Sequence, residues 1–305
     1  MLPTIALDLQ CPINPVISPY AEEAHAWLDG WTRSHGLPDV YADRLAEGGI
    51  ARYAARLYPD ATPDDLRVLS ALFTWFFLID DECDRASVPE PERVRALVGG
   101  ALSLLSGEDG GLPGPLGSML ADAWREPQRR MPERWQARFV AAVEHHLNGV
   151  VVEARNKANG HRPAVEEYVE LRRATSAAYV AHTLIDFAAG DDPVTESFYY
   201  HPSVRAFSRA GNDLLSWFND LLSLERDAAT SGGHNLVLAV ANERGTPLAE
   251  AAVVTRERWH RTMRHLPALR TAAPPHGLAG RRYLDGVEHA VRGTMDWSYE
   301  SARYR

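Results

Sequence analysis

The sequence contains very little cysteine. Only Cys11 and Cys83 occur among its 305 residues, too few for a disulfide framework and not spaced as zinc ligands are. This scarcity excludes the small disulfide-stapled folds and predicts a protein that works in the reducing cytoplasm.

Long apolar runs and an excess of positive charge are also missing. The longest strongly apolar run covers residues 72–79, far short of the roughly 20 residues that cross a bilayer. Residues 1–10 include Asp8 and lack the basic stretch that opens a secretory signal. The formal net charge of -9 argues against a general surface for nucleic acid. We therefore expect neither membrane insertion nor nucleic-acid binding, and an anionic substrate would need metal ions or a few local arginines.

Alternating strand patterns are absent as well, and helical periodicity dominates between breaks rich in glycine and proline. The main breaks are residues 12–19, 107–117, 157–163 and 271–280. None has the extended low-complexity composition of an interdomain linker, although the length alone is compatible with two domains. The sequence predicts an all-α fold in a single domain that spans residues 1–305.

Asp64 and Asp65 form an acidic pair that could be mistaken for a metal site. Thr62 before them is a good N-cap, and Pro63 suits the first position of a helix. Both aspartates then lie in the first turn, where the helix dipole favours negative charge. We interpret the pair as the start of a helix.

A second acidic cluster ends the apolar run ALFTWFFLIDDECDR, where no proline or glycine stops the helix. Asp80 and Asp84 are separated by i,i+4 and Asp81 and Asp84 by i,i+3, so these carboxylates project together. Like charges so placed repel and favour a hard divalent ion such as Mg²⁺ bridging to phosphate. Phe73 and Phe76 share the face of Asp80 and are expected to line an apolar cavity. Taken alone, the cluster could equally be a solvated helix end.

A third polar cluster lies in the apolar helical run GNDLLSWFNDLLSLERD. Asn219, Ser223 and Asp227 recur at i, i+4 and i+8 and therefore share one helix face. An amide, a hydroxyl and a carboxylate stacked over two turns make little sense in a core, whereas they suit a chelate of oxygen ligands.

These two clusters resemble the metal-binding motifs of bacterial class I terpene cyclases. DDECD, from Asp80 to Asp84, resembles their DDxxD motif, and NDLLSLERD resembles their NDxxSxx(R/K)(D/E) motif, with Asp227 where Glu is frequent. The resemblance implies a class I terpenoid cyclase bundle with three Mg²⁺ ions. It assigns one ion to Asn219, Ser223 and Asp227 and two to Asp80, and we include Asp84 among the metal ligands.

The resemblance extends to residues that would bind the substrate diphosphate. Arg173 lies 46 positions before Asn219, where the family places its diphosphate-sensing arginine. Arg226 stands inside the second motif, and Arg303 and Tyr304 resemble the family's C-terminal Arg-Tyr pair. A guanidinium suits this role because its fork of donors can bind two phosphate oxygens.

The predicted catalytic set is therefore Asp80, Arg173, Asn219, Ser223 and Asp227. For the hydrocarbon pocket we predict Phe73, Phe76, Ala177, Ala178 and Trp297, because aromatic faces stabilise a carbocation and small residues leave room for it. Ala177 stands where the family often has a glycine at a helix break. The DxDD motif of class II cyclases is absent, which argues against protonation-initiated chemistry.

These patterns predict an Mg²⁺-dependent cyclase that ionises a linear isoprenyl diphosphate, with farnesyl diphosphate preferred and geranylgeranyl diphosphate the close alternative. A chain-elongating prenyl transferase is the nearest rival, although such enzymes carry two aspartate-rich motifs. A catalytically inactive helical binding protein is the rival from another class. Helical faces could also pair two copies into a homodimer.

Overall fold

The computed structural model describes residues 9–84, 90–108, 111–190, 193–229 and 234–304. Every regular element within these residues is helical, which confirms the predicted fold class. The elements are α1 Ala21–Ser34, α2 Asp39–Gly48, α3 Ile50–Leu57, α4 Pro63–Asp84, α5 Pro91–Leu105, α6 Gly114–Arg130, α7 Glu133–Ala158, α8 Val165–Thr175, α9 Ala178–Ala189, α10 Glu196–Tyr199, α11 Pro202–Leu222, α12 Leu224–Ala229, α13 Leu236–Arg244, α14 Leu248–Thr271, α15 Leu278–Glu300 and a 3-10 turn Ala302–Tyr304. None of the described helices combines the length and apolar character that crossing a bilayer requires.

Helix α11 forms the centre of the bundle. Every residue from Ala210 to Phe218 is buried, so all sides of this stretch are covered, which is typical of a helix surrounded by others. Helices α14 and α15 pack against it, and α8, α9 and α13 also contact it. The second polar motif therefore lies at the end of a helix enclosed by its neighbours.

Buried tryptophans tie neighbouring helices together through their indole N–H groups. Trp135 of α7 donates to the carbonyl of Thr183 in α9 at 3.0 Å, and Trp259 of α14 donates to that of Leu214 in α11 at 2.9 Å. A buried indole N–H needs such a partner because its desolvation is otherwise uncompensated. These bonds fix helix positions in addition to apolar packing.

Helix α4 begins as the sequence predicts, but its first turn also makes a tertiary contact. Thr62 Oγ1 accepts from the backbone N–H of Asp65 at 3.2 Å. Asp64 is exposed, whereas Asp65 is only 3% exposed and binds Arg130 of α6 at 2.5 Å. Asp65 thus contributes more than a charge at a helix start.

Two single substitutions at this helix start should differ in their effect on stability. Asp64→Asn is expected to lower the free energy of unfolding by about 0.3–1 kcal/mol through the helix dipole. Asp65→Asn is expected to lower it by about 1–3 kcal/mol, because it also removes a buried charged partner of Arg130. Urea unfolding of both variants measures the difference. Equal losses would contradict the tertiary role of Asp65.

Candidate active site

The acidic end of α4 is held by arginines from two other elements. Asp81 forms an ion pair with Arg44 of α2 and a hydrogen bond at 3.2 Å with Arg303 of the C-terminal turn. Arg303 also lies 3.6 Å from Asp80. Helix α4 continues to Asp84 as predicted, but the side chain of Asp84 lies outside the described part of the structure, so its role as a metal ligand stays a prediction.

The three polar residues of the second motif keep helical spacing across a break. Helix α11 ends at Leu222 and α12 starts at Leu224, yet Ser223 N donates to Asn219 O at 2.8 Å and Asp227 N donates to Ser223 O at 2.9 Å. Ser223 Oγ donates to Asp227 Oδ2 at 2.6 Å. The break at Ser223 therefore leaves the three side chains on one face.

The C-terminal turn reaches this motif directly. Asn219 Nδ2 donates to the hydroxyl of Tyr304 at 2.6 Å. The ring of Tyr304 lies edge-on to Trp297, with 5.8 Å between centroids, and the Arg226 guanidinium is 6.0 Å from the Tyr304 ring centroid. Burial raises the pKa of Tyr304, so its hydroxyl stays protonated and able to donate. The turn brings the Arg-Tyr pair beside both polar motifs.

A cavity of about 210 Å³ lies between the two motifs. All five predicted pocket residues line it, together with part of the predicted polar set. Its lining includes Phe73, Phe76, Ala177, Ala178, Trp297, Asp80, Asn219, Arg226, Arg303 and Tyr304. Rings that the sequence prediction missed, those of Tyr53, Phe77 and His146, complete the wall. The cavity is therefore lined by aromatic and aliphatic side chains over much of its wall and is polar where the motifs meet.

Of the two adjacent arginines on α8, Arg172 lines the cavity, and the sequence analysis did not select it. Arg172 Nη2 donates to Asn219 Oδ1 at 3.0 Å, and its Nε donates to Asp220 Oδ1 at 2.9 Å. Arg173 points away from the cavity and binds Asp213 through two hydrogen bonds of 2.7 and 2.8 Å and Glu170 at 2.5 Å. The structure thus does not place Arg173 with the other predicted diphosphate donors.

A sequence signal for Arg172 does exist. Val165, Tyr168 and Val169 are buried on α8, and Arg172 continues their i, i+3, i+4, i+7 stripe toward the core. Spacing relative to another motif says nothing about which of two adjacent residues points inward. Amphipathic periodicity within α8 was therefore the better guide.

The chain between α8 and α9 is bent at Ala177. Its φ of 57° is positive, which no other non-glycine residue in the described ranges shows, and such a conformation costs about 1–2 kcal/mol. Asn212 of α11 holds the bend, since its Oδ1 accepts from Ser176 Oγ at 2.8 Å and its Nδ2 donates to Arg173 O at 2.9 Å. Ser176 Oγ in turn caps α9 by accepting from Ala178 N at 3.2 Å. The alanines around the bend therefore belong to two helices.

Asp220, inside the second motif, connects it to two neighbouring helices. It is 2% exposed and accepts from Tyr168 Oη at 2.9 Å, from Arg172 Nε and from the backbone N–H of Leu236 at 3.1 Å. Burial raises the pKa of Asp220, and the Arg172 guanidinium opposes this rise most strongly. The carboxylate fastens the end of α11 to α8 and α13.

The donor set of the second motif suits a hard cation. An amide oxygen, a hydroxyl and a carboxylate are the ligand types that Mg²⁺ prefers, whereas zinc sites use sulfur and imidazole. Groups of three or more His, Cys, Asp and Glu residues that could hold a metal ion are absent from the part of the chain that the structure describes. The amide and hydroxyl of Asn219 and Ser223 take the place of such a group.

His146, on the cavity wall, is a buried histidine with a depressed pKa. Burial lowers the pKa of its imidazole to about 4, although the bond of its Nδ1 to the carbonyl of Ala174, at 3.1 Å, opposes the shift. With this pKa the ring is neutral near pH 7, and its one proton lies on Nδ1, which donates to the carbonyl. His182, also fully buried, has its pKa lowered to about 3 for the same main reason.

Acidification should therefore destabilise the fold through His146. The unfolded chain binds a proton on this residue below about pH 6.5, whereas the folded chain does not until about pH 4, so stability falls as the pH drops between these values. Lowering the pH from about 7 to about 5.5 should cost the wild type about 1.2 kcal/mol more than His146→Gln, which can still donate to the Ala174 carbonyl. Urea unfolding at both pH values measures this, and parallel losses in the two proteins would contradict it.

Comparison with known proteins identifies the class that this fold and site define. The profile of terpene synthase family 2, C-terminal metal binding, matches residues 71–265, which include both polar motifs. The chain belongs to this family of terpene synthases and is a terpene cyclase.

Particular relatives extend the likeness over nearly the whole chain. The chain is 31% identical to 10-epi-cubebol synthase of Sorangium cellulosum over 97% of each protein. It is 28% identical to the (2E,6E)-farnesyl diphosphate cyclizing (+)-T-muurolol synthase of Roseiflexus castenholzii, covering 96% of this chain and 92% of that one. Among solved structures, germacradien-4-ol synthase of Streptomyces citricolor superposes with a TM-score of 0.82 at 25% identity, covering 96% of this chain and 98% of that one.

Proposed function

We propose that this terpene cyclase is a class I enzyme that uses Mg²⁺ to ionise farnesyl diphosphate and folds the resulting cation into a cyclic product, with release of inorganic diphosphate. The observation that carries the proposal is the cavity itself. Its polar part holds Asp80, Asn219, Arg226, Arg303 and Tyr304, and its remaining wall is mainly aromatic and aliphatic. A diphosphate fits the first part and an isoprenyl chain fits the second.

The polar residues would act on the diphosphate. When bound, Mg²⁺ neutralises the diphosphate and stabilises the charge that develops on it as the carbon–oxygen bond breaks. Asp80 and the face of Asn219, Ser223 and Asp227 would hold the metal, in a set of three ions by resemblance to the family. Arg226 and the Arg-Tyr pair would donate to the phosphate oxygens, because guanidinium and phenol groups bind the leaving group without acting as nucleophiles.

Arg173 stays in this proposal as a diphosphate contact by resemblance. It would have to leave Asp213, with which it makes two hydrogen bonds. Its neighbour Arg172 already lines the cavity. Arg172 and Arg173 therefore need separate tests.

The aromatic wall would act on the cation. Tyr53 and Trp297 stack with 4.3 Å between centroids, and Tyr53 also meets Phe73 edge-on at 5.3 Å. Ring faces stabilise positive charge, and a wall of apolar side chains keeps water from quenching it early. Phe73 lies about two turns before Asp80 on α4, Phe76 and Phe77 lie about one turn before it, and these rings limit the depth below Asp80. This limit favours farnesyl over geranylgeranyl diphosphate, as does the substrate printed in the name of the muurolol synthase relative.

The test offers geranyl, farnesyl and geranylgeranyl diphosphates to the purified chain with Mg²⁺, with and without isopentenyl diphosphate. We expect diphosphate release and a cyclic product of farnesyl diphosphate, without any need for the isopentenyl partner. A requirement for isopentenyl diphosphate would indicate a prenyl transferase. Binding of the substrate without release of diphosphate would indicate a catalytically inactive relative. A dominant cyclic diterpene would overturn only the proposed preference for farnesyl diphosphate. Ala178→Phe should then shift the preference toward farnesyl diphosphate.

Cytoplasmic location and a homodimer stay predictions.

A further inference from the structure

Asn235 lies at the start of α13, and its side-chain amide contacts three separate segments next to the second motif. It is 1% exposed. Its Nδ2 donates to the backbone carbonyl of Asp220 at 2.6 Å and to Asp227 Oδ2 at 3.0 Å, while its Oδ1 accepts from Val237 N at 2.8 Å. One amide therefore joins the end of α11, the carboxylate of α12 and the N-terminus of α13.

The contact with Asp227 restricts the orientation of that carboxylate. Ser223 Oγ donates to Asp227 Oδ2 at 2.6 Å, and Asn235 Nδ2 donates to the same oxygen. Oδ1 is the oxygen turned toward Arg226, whose Nε lies 3.3 Å away. With Oδ2 fixed by two neutral donors, rotation of the carboxylate about its last torsion would break at least one short hydrogen bond.

The same Nδ2 of Asn235 also binds a firmly held part of the bundle. Asp220, whose carbonyl it binds, is fixed through its own carboxylate by Tyr168, Arg172 and the backbone N–H of Leu236. These partners belong to α8 and α13, so the anchor does not depend on the short helix α12. Asp227 lies on α12, a helix of only 6 residues, and gains its position from this anchor.

We propose that Asn235 is a positioning residue for the metal site, which holds the Asp227 carboxylate in the orientation that completes the ligand set with Asn219 and Ser223. The proposal rests on the proposed function, because it concerns the same Mg²⁺ ion. It assigns to Asn235 no contact with substrate or metal. Partners that orient a ligand in this way typically change metal affinity by about 10–100-fold when they are removed.

The capping and positioning roles of Asn235 can be separated by substitution. Serine at position 235 keeps an oxygen that can accept from Val237 N, and serine is as good an N-cap as asparagine. It lacks the amide N–H donors that reach Asp227. Alanine removes both functions. Asn235→Ser therefore tests the contact with Asp227, and Asn235→Ala shows what loss of the cap adds.

Two control variants match these changes outside the site. Asn14→Ser makes the same substitution at an exposed position before α1. Asp65→Asn loses a buried polar contact at the opposite end of α4, about 22 Å from Asp80 along that helix. The first control shows the effect of an Asn→Ser substitution away from the site on Mg²⁺ affinity. The second shows the effect of a comparable loss of stability on that affinity.

The experiment titrates Mg²⁺ into each full-length protein in the presence of inorganic diphosphate and follows binding by calorimetry, with the metal-free thermal midpoint measured in parallel. We expect Asn235→Ser to bind Mg²⁺ about 10–100-fold more weakly than the wild type, with both controls unchanged in affinity. An unchanged affinity in Asn235→Ser would overturn the proposal. So would an affinity loss that follows the thermal midpoint across all four variants, since that marks a purely structural role. Failure of the wild type to bind Mg²⁺ would instead overturn the proposed function, and this proposal with it.

Discussion

Asn219→Ala is expected to lower turnover by about 100-fold or more while leaving the helical circular dichroism unchanged. The amide lies where the polar motifs meet, with Oδ1 bonded to Arg172 and Nδ2 bonded to Tyr304. Its removal deletes a proposed metal ligand and breaks the hydrogen bond between α11 and the C-terminal turn. Neither loss opens the hydrophobic core, because Asn219 lies on the cavity wall. Activity should therefore fall far more than stability.

The measurement is diphosphate release from farnesyl diphosphate, with Asp80→Asn and Asp227→Ala tested alongside. All three variants should lose activity strongly, because each removes one oxygen donor from the same proposed site. Asn14→Ala, a change at an exposed position before α1, is the control. Near-normal turnover in a folded variant would remove that residue from the metal site.

Arg172→Gln is expected to combine a large loss of stability with a loss of activity. The substitution leaves the buried carboxylate of Asp220 without its cation, which costs about 3 kcal/mol, at the low end for a broken buried pair because Tyr168 and Leu236 still donate. It also removes the donor that orients Asn219. Urea unfolding and diphosphate release measure the two effects on the same preparation. Stability within about 1 kcal/mol of the wild type would contradict the importance of this pair.

Arg173→Gln is the matched comparison, one residue further along α8. Its guanidinium binds Asp213 and the exposed Glu170 outside the cavity. Lost turnover with Mg²⁺ binding intact would favour the diphosphate contact that the resemblance implies, reached after Arg173 leaves Asp213. Unchanged turnover would assign that contact to Arg172 instead. The two variants thus decide which arginine serves the substrate.

The features that sequence reasoning predicted are those set by local periodicity. The helix through Asp80 follows from an apolar run without a breaker, and the common face of Asn219 and Asp227 follows from i,i+4 spacing, which survives the break at Ser223 because the i→i−4 hydrogen bonds persist. Family resemblance added the Arg-Tyr pair, which no periodicity could have indicated.

The features that were missed depend on tertiary contacts. Adjacent residues on a helix point about 100° apart, so a count of residues back from Asn219 could not distinguish Arg173 from Arg172. Ala174, Ala177, Ala178 and Ala181 have the i, i+3, i+4, i+7 spacing of one helix face, but the bend at Ala177 separates α8, which holds Ala174, from α9, which holds Ala178 and Ala181. That bend is held by Asn212, a partner more than thirty positions away in the chain. Asp65 similarly gained a partner, Arg130, that its helix-start position did not suggest.

Trp297 lines the cavity, so its fluorescence should depend on what the cavity contains, which is not expected of the other described tryptophans. Its indole donates to the carbonyl of Gly48 at 2.8 Å, while its ring stacks on Tyr53 and meets Tyr304 on the cavity wall. Trp135 and Trp259 are enclosed in the bundle away from that cavity. Fluorescence from Trp297 should therefore respond when a ligand displaces Tyr304, against a constant background from the enclosed indoles. Stopped-flow emission, with Trp297→Phe as the silent reference, would time substrate entry without any attached dye.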